Sequence, residues 1–285
     1  KQAPLSWPDE QVLAGLRRPA RLRVFAHVLQ SMSDSDHDPM DTLARTIEVV
    51  ARQPQDRGTE DAILLGAIGR GFAAMGDYGE AERYLEDACV EWQALGQYHG
   101  ASRSATELLR LRALGGAAEV DRTVDRWIAP LLADPRMGGV SRAFVYGELV
   151  RAYSLTGRLA LVEEYFVELE EVEAPHHVTA SARRWYARAL DSGGQVSKAA
   201  DQRRLLNERC EEGTFERVFV LLADLDEAQL KAGAETTNLL DALQQTADDP
   251  GTLWGYEVRR LIRVICKRGL RGRDLARAVA TEFRY

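Results

Sequence analysis

Apolar residues recur every three or four positions along almost the whole chain, and no run alternates strictly enough to make a strand. Ile63, Leu64, Ala67, Ile68 and Phe72 form one such stripe. Val145, Leu149, Val150 and Tyr153 form a second, and Leu261, Ile262 and Ile265 a third. Prolines sit where helices should begin or end. Asp38-Pro39 reads as an N-cap followed by the first helical residue, and Ser6-Trp7-Pro8-Asp9 reads similarly. Pro54, Pro135, Pro175 and Pro250 fall in polar breaks. Pro130 is the exception: it must end or kink the helix that carries Trp127 and Ile128. The pattern predicts an all-α protein.

Glycines punctuate that pattern at a nearly constant interval. Gly76, Gly115, Gly157, Gly194, Gly233 and Gly269 read as turns inside helical hairpins, with steps of 39, 42, 37, 39 and 36 residues. One step before Gly76 lies the polar turn 31–38. The spacing predicts seven antiparallel hairpins, preceded by a short helix near 7–18. Four residues before each turn stand Phe72, Leu111, Tyr153, Leu190, Gln229 and Ile265, five of them large and apolar. Five residues after come Ala81, Val120, Val162, Ala199, Asn238 and Asp274. A small residue there lets the second helix approach the first, while a large one upstream fills the space between them. Asn238 and Asp274 break the rule, so the last two hairpins pack differently or shift register.

The segment Ile68-Gly69-Arg70-Gly71-Phe72-Ala73-Ala74-Met75-Gly76-Asp77-Tyr78-Gly79-Glu80-Ala81, followed by Leu85 and Ala88, resembles a tetratricopeptide repeat. Leu149 to Phe166, with Tyr153 and Gly157, looks like a more diverged copy. The resemblance covers roughly residues 60–245, and the repeats exceed the family's common ~34 residues. In length they are similar to the sensor domains of bacterial regulators. The resemblance implies a right-handed superhelical solenoid, one domain over 1–285. Residues 1–58 would be capping helices and a first hairpin, 59–247 the central repeats and 248–285 a basic capping hairpin. It also implies a concave groove lined by the first helix of each pair.

Six residues before the turns stand Arg70, Leu109, Arg151, Arg188, Glu227 and Arg263, which would point into that groove. One turn earlier on the same face come Arg184 and Trp185, then Arg259 and Arg260; Glu148 and Asp224 share it. Arg112 joins the set in this register, and Arg110 replaces it if the third hairpin shifts by one. Trp185, Phe144 and Tyr256 offer stacking surfaces beside them. Guanidinium groups bond carboxylates and phosphates in pairs, so one reading is a binding groove for an anionic protein segment, peptide or small ligand. The other is that the arginines pair with Glu148, Asp191, Asp224 and Glu227 and hold adjacent hairpins together.

Composition narrows the choice. The formal charge is −7, from 37 basic and 44 acidic residues, which argues against a nucleic-acid coat. Residues 256–285 alone carry nine basic residues against three acidic, but without a helix-turn-helix pattern, so docking to an acidic partner or to the body itself is expected. Cys89, Cys210 and Cys266 are odd in number and far apart, which excludes a disulfide framework and a clustered zinc set. Asp34, Asp36 and Asp38 open like a calcium loop, yet Pro39 and Arg45 stand where a glycine and a glutamate are needed. His176 and His177 read as exposed residues at a helix start. Gly66, Gly69 and Gly71 lie within a helical stripe and make no phosphate loop. No nucleophile, paired-histidine or serine-elbow motif occurs, so neither catalysis nor a cofactor or metal is expected. The longest apolar stretch, around 62–68, is too short to span a bilayer, and no leader is apparent. Together these predict a soluble, cytoplasmic, non-catalytic module that binds a protein or peptide, with a homodimer compatible. The alternative is the ligand-sensing region of a transcription regulator whose DNA-binding part lies outside the chain, with which an opening Lys1 is compatible.

Overall fold

A computed structural model describes residues 17–33, 58–75, 77–113, 115–210 and 217–230. Every regular element among them is helical, as the apolar spacing predicts, and none is long and apolar enough to cross a membrane. Of the expected short helix near 7–18 only the last two residues are described, Arg18 opening the next helix, and of the expected polar turn at 31–38 only 31–33, which are helical; Gly76, Cys266 and all features from 231 onward lie outside these residues. In chain order the elements are α1 (Arg18–Ser33), α2 (Thr59–Met75), α3 (Tyr78–Ala94), α4 (Tyr98–Arg112) and α5 (Ala117–Thr123). A π-helical turn (Val124–Ile128) leads into α6 (Ala129–Ala133). Then come α7 (Gly139–Leu155), α8 (Leu159–Glu171), α9 (His176–Ser192), α10 (Val196–Arg209) and α11 (Arg217–Leu230). The chain divides into two compact units, Lys1–Leu111 with Asp125–Met137, and Arg112–Val124 with Gly138–Tyr285.

In the first unit α2 packs on both α1 and α3. Its stripe supplies the core: Leu64, Ala67 and Ile68 are fully buried, while Ile63 and Phe72 are half-buried. Gly69 sets the spacing between α2 and α3, because a Cβ there would stand 2.7 Å from Leu85 Cγ and 3.1 Å from the Ala81 carbonyl oxygen. Phe72 then stacks on Tyr84, ring centroids 5.5 Å apart and planes 10° from parallel. Asp77 caps α3, its side chain accepting the Glu80 backbone N–H at 3.2 Å.

The second unit repeats this packing. In α7 and α8, Tyr153 stacks on Tyr165 at 5.6 Å and 3°. Counted from Gly76 and from Gly157, the two pairs occupy the same positions, four before and eight after the turn. Each such pair contributes about 0.5–1.5 kcal/mol beyond area burial. The expected positions five after the turn behave alike too: Ala81, Val120, Val162 and Ala199 are all fully buried.

Gly157 and Gly194 close their hairpins in one way. Each follows a helix with φ of 74° and 76°, a left-handed conformation that only glycine adopts without steric cost. Arg158 N–H donates back to Tyr153 O at 2.9 Å, and Gln195 N–H to Leu190 O at 2.8 Å, satisfying carbonyls that the helix end leaves open. Both links take three residues, 156–158 and 193–195; the link from α4 to α5 takes four, 113–116. There the left-handed residue is Gly116 rather than Gly115. The extra residue is why the third hairpin resists a single register. Pro130 does not end its helix. Lacking an N–H to donate four residues back, it sits at the start of α6, and the preceding turn widens to π geometry.

Candidate functional site

In the second unit α9 lies against both α7 and α11, so the leading helices of successive pairs adjoin one another. Helical spacing places Phe144, Glu148 and Arg151 along one face of α7, and Ser181, Arg184 and Arg188 along one face of α9. The two helices approach closely at Gly147, where a Cβ would come 3.0 Å from Val178 Cγ1. They are also bonded: buried Ser154 Oγ donates to the Trp185 carbonyl at 2.9 Å.

Trp185 is the centre of this seam. The guanidinium carbons of Arg184, Arg188 and Arg151 stand 4.5, 5.5 and 5.6 Å from its ring. Arg184 is only 1% exposed and Trp185 2%. A guanidinium held over an indole away from water gains up to ~2 kcal/mol, which offsets part of its desolvation. Arg151 Nη1 donates to Glu148 Oε2 at 3.3 Å, with both side chains buried.

The sequence-derived set is thus distributed as follows. Arg151, Arg184, Trp185 and Arg188 come together around one indole. Phe144 lies two turns up α7, half-buried, its ring 5.8 Å from that of His177. His177 is half-buried rather than an exposed turn residue, because the second position of α9 turns toward α7. Arg70 is buried in α2 of the first unit, and Arg112 is half-buried at the end of α4, reaching Thr123 Oγ1 at 3.4 Å. Tyr256, Arg259, Arg260 and Arg263 lie outside the described residues.

Two arginines that the groove positions did not include matter as much. Arg203 of α10 pairs with Asp191 and stands 3.7 Å from Glu227, which engages two of the acids expected opposite the groove arginines. Arg183 is buried next to Arg184, donating to Gln202 Oε1 and Glu170 Oε1, both at 2.6 Å, with its guanidinium 5.0 Å from the Phe166 ring. A signal for it existed: adjacent helical positions diverge by about 100°, so the Arg183-Arg184 doublet had to serve two faces.

Burial pushes the phenols of Tyr146, Tyr165 and Tyr186 up from their ordinary range, and at Tyr186 the neighbouring Glu163 carboxylate adds to it. In the first unit Arg136, by side chain and backbone N–H, together with Tyr98, holds the Asp134 carboxyl well below the usual carboxylate range. Among the described residues no three His, Cys, Asp or Glu side chains converge as a metal set. Cys89 and Cys210 are buried and form no disulfide with each other. The seam therefore offers cation–π contacts, fixed guanidinium donors and a half-buried Arg188 at its margin. No family model, curated protein or solved structure matches the chain.

Proposed function

We propose that the chain is a non-catalytic, tetratricopeptide-like binding module that holds an acidic segment of a partner protein against the face shared by its leading helices. The observation that carries this reading is the Trp185 seam. Aliphatic side chains would join α7 to α9 at less desolvation cost, yet the chain places Glu148, Arg151, Arg184 and Arg188 there. The matching Phe72–Tyr84 and Tyr153–Tyr165 stacks support reading the hairpins as repeats. Arg184 and Arg151 fix the indole from within, and Arg188, half-buried, is the guanidinium a partner carboxylate meets first. Buried anchors would then hold the segment while charge sets orientation and association rate.

Anisotropy titrations of labelled glutamate-rich and lysine-rich peptides of equal length test the reading. It expects the acidic peptide alone to bind, association to slow between low and physiological salt, and Arg188→Glu to abolish capture. Equal binding of both peptides, or capture indifferent to Arg188→Glu, would refute it.

A further inference from the structure

A second site lies away from that seam, in a cavity of about 350 Å³ at one end of α8, α9 and α10. Leu169, Val172, Ala174, Ala180 and Leu206 give it apolar walls, and among the described residues Arg183, Glu170, Thr179, His176, Arg209 and Cys210 also line it. The polar groups differ in how they are engaged. Arg183 and Glu170 bond each other, so their charges cancel within the wall. Arg209 and His176 are exposed, and among the described residues neither side chain makes a hydrogen bond or an ion pair. Among the described residues, one guanidinium and one imidazole thus stand without a side-chain partner beside an apolar floor.

We infer that this cavity binds a small monocarboxylic acid, its carboxylate on Arg209 and His176 and its apolar body against Leu169, Ala180 and Leu206. The ligand class follows from the balance of groups. A carboxylate matches the paired N–H donors of one guanidinium. A phosphate or dicarboxylate would bring a second charge, whereas among the described lining residues Arg183 is already committed to Glu170. The volume is at the small end of the range for ligand sites, about 300–1,000 Å³, which suits a short acyl chain rather than a peptide.

Octanoate titrated into the full chain, followed by amide resonances, tests the assignment. Saturable shifts are expected at Thr179, Ala180, Leu206 and Arg209. Arg209→Ala, at an exposed position that leaves the fold intact, should weaken octanoate by about tenfold, the usual loss for a charge-assisted hydrogen bond. Octanol, with the same body and no charge, should bind weaker by a similar factor. Ala174→Trp, which fills the cavity while keeping Arg209 and His176, should abolish the shifts. Octanol binding as tightly as octanoate, an unchanged affinity in Arg209→Ala, or no saturable shift in the parent chain would each overturn the proposal.

Discussion

Replacing Arg151 with methionine keeps most of the apolar stem and removes only the guanidinium. Its partner Glu148 then remains in the α7–α9 seam, where the two charged atoms lie 3.3 Å apart and their side chains are 5% and 8% exposed. At an effective dielectric of ~20 the lost attraction is about 5 kcal/mol. The relief from no longer burying a guanidinium returns part of that, leaving a net cost of about 3–4 kcal/mol, within the usual range for removing one partner of a buried ion pair. Replacing both, as Arg151→Met with Glu148→Leu, removes attraction and desolvation together and should recover most of the loss. Urea denaturation followed by far-ultraviolet circular dichroism gives all four corners of the cycle, and the coupling between the positions should be about 2–3 kcal/mol. A single-variant loss below about 1 kcal/mol would refute the reasoning. That is the value of a water-exposed pair, and it would mean that Arg151 faces solvent.

Three further outcomes follow from geometry elsewhere. Gly157→Ala and Gly194→Ala should each cost about 1–2 kcal/mol because their φ angles are positive, whereas Gly139→Ala, with nothing within 4 Å of the new methyl, should be neutral or stabilising by urea midpoint. Gly69→Ala and Gly100→Ala should destabilise by about 1–3 kcal/mol despite better helix propensity, since the new Cβ would lie 2.7 Å from Leu85 Cγ and 2.3 Å from Trp92 Cδ2; unchanged midpoints would show that both neighbours yield freely. Asp134, held below the usual carboxylate range by Arg136 and Tyr98, stabilises the fold fully above its unfolded value of ~3.9 and loses that contribution as pH falls through its lowered folded value. Asp134→Asn should therefore flatten the acid limb of a stability–pH curve, and parallel curves for parent and variant would contradict the assignment.

The hairpins were legible because their signals are local. A glycine that must adopt positive φ, as at 157 and 194, and a compact residue five positions later, as at Val162 and Ala199, follow from backbone sterics and a single helix pair. What the sequence could not show is how neighbouring pairs press together. Arg151 and Arg184 stand at positions expected to line a groove, yet α9 packs on α7 closely enough to bury them around Trp185. No residue pattern within one helix encodes that distance. The Arg203–Asp191 and Arg183–Glu170 pairs were hidden for the same reason, each joining residues of different helices. At Gly115 the turn signal was right to within one residue, and the four-residue link explains the remainder.

The length of the α7–α8 pair has a consequence for inheritance. Gly139 and His176, which open α7 and α9, lie 37 residues apart, as do Gly157 and Gly194. One extra residue inside α8 would rotate everything beyond it by about 100° and turn Leu169 away from its neighbours. Under the repeat reading proposed above, a tandem duplication of 37 codons would keep that register, because the copied pair would meet a partner of the kind its original meets.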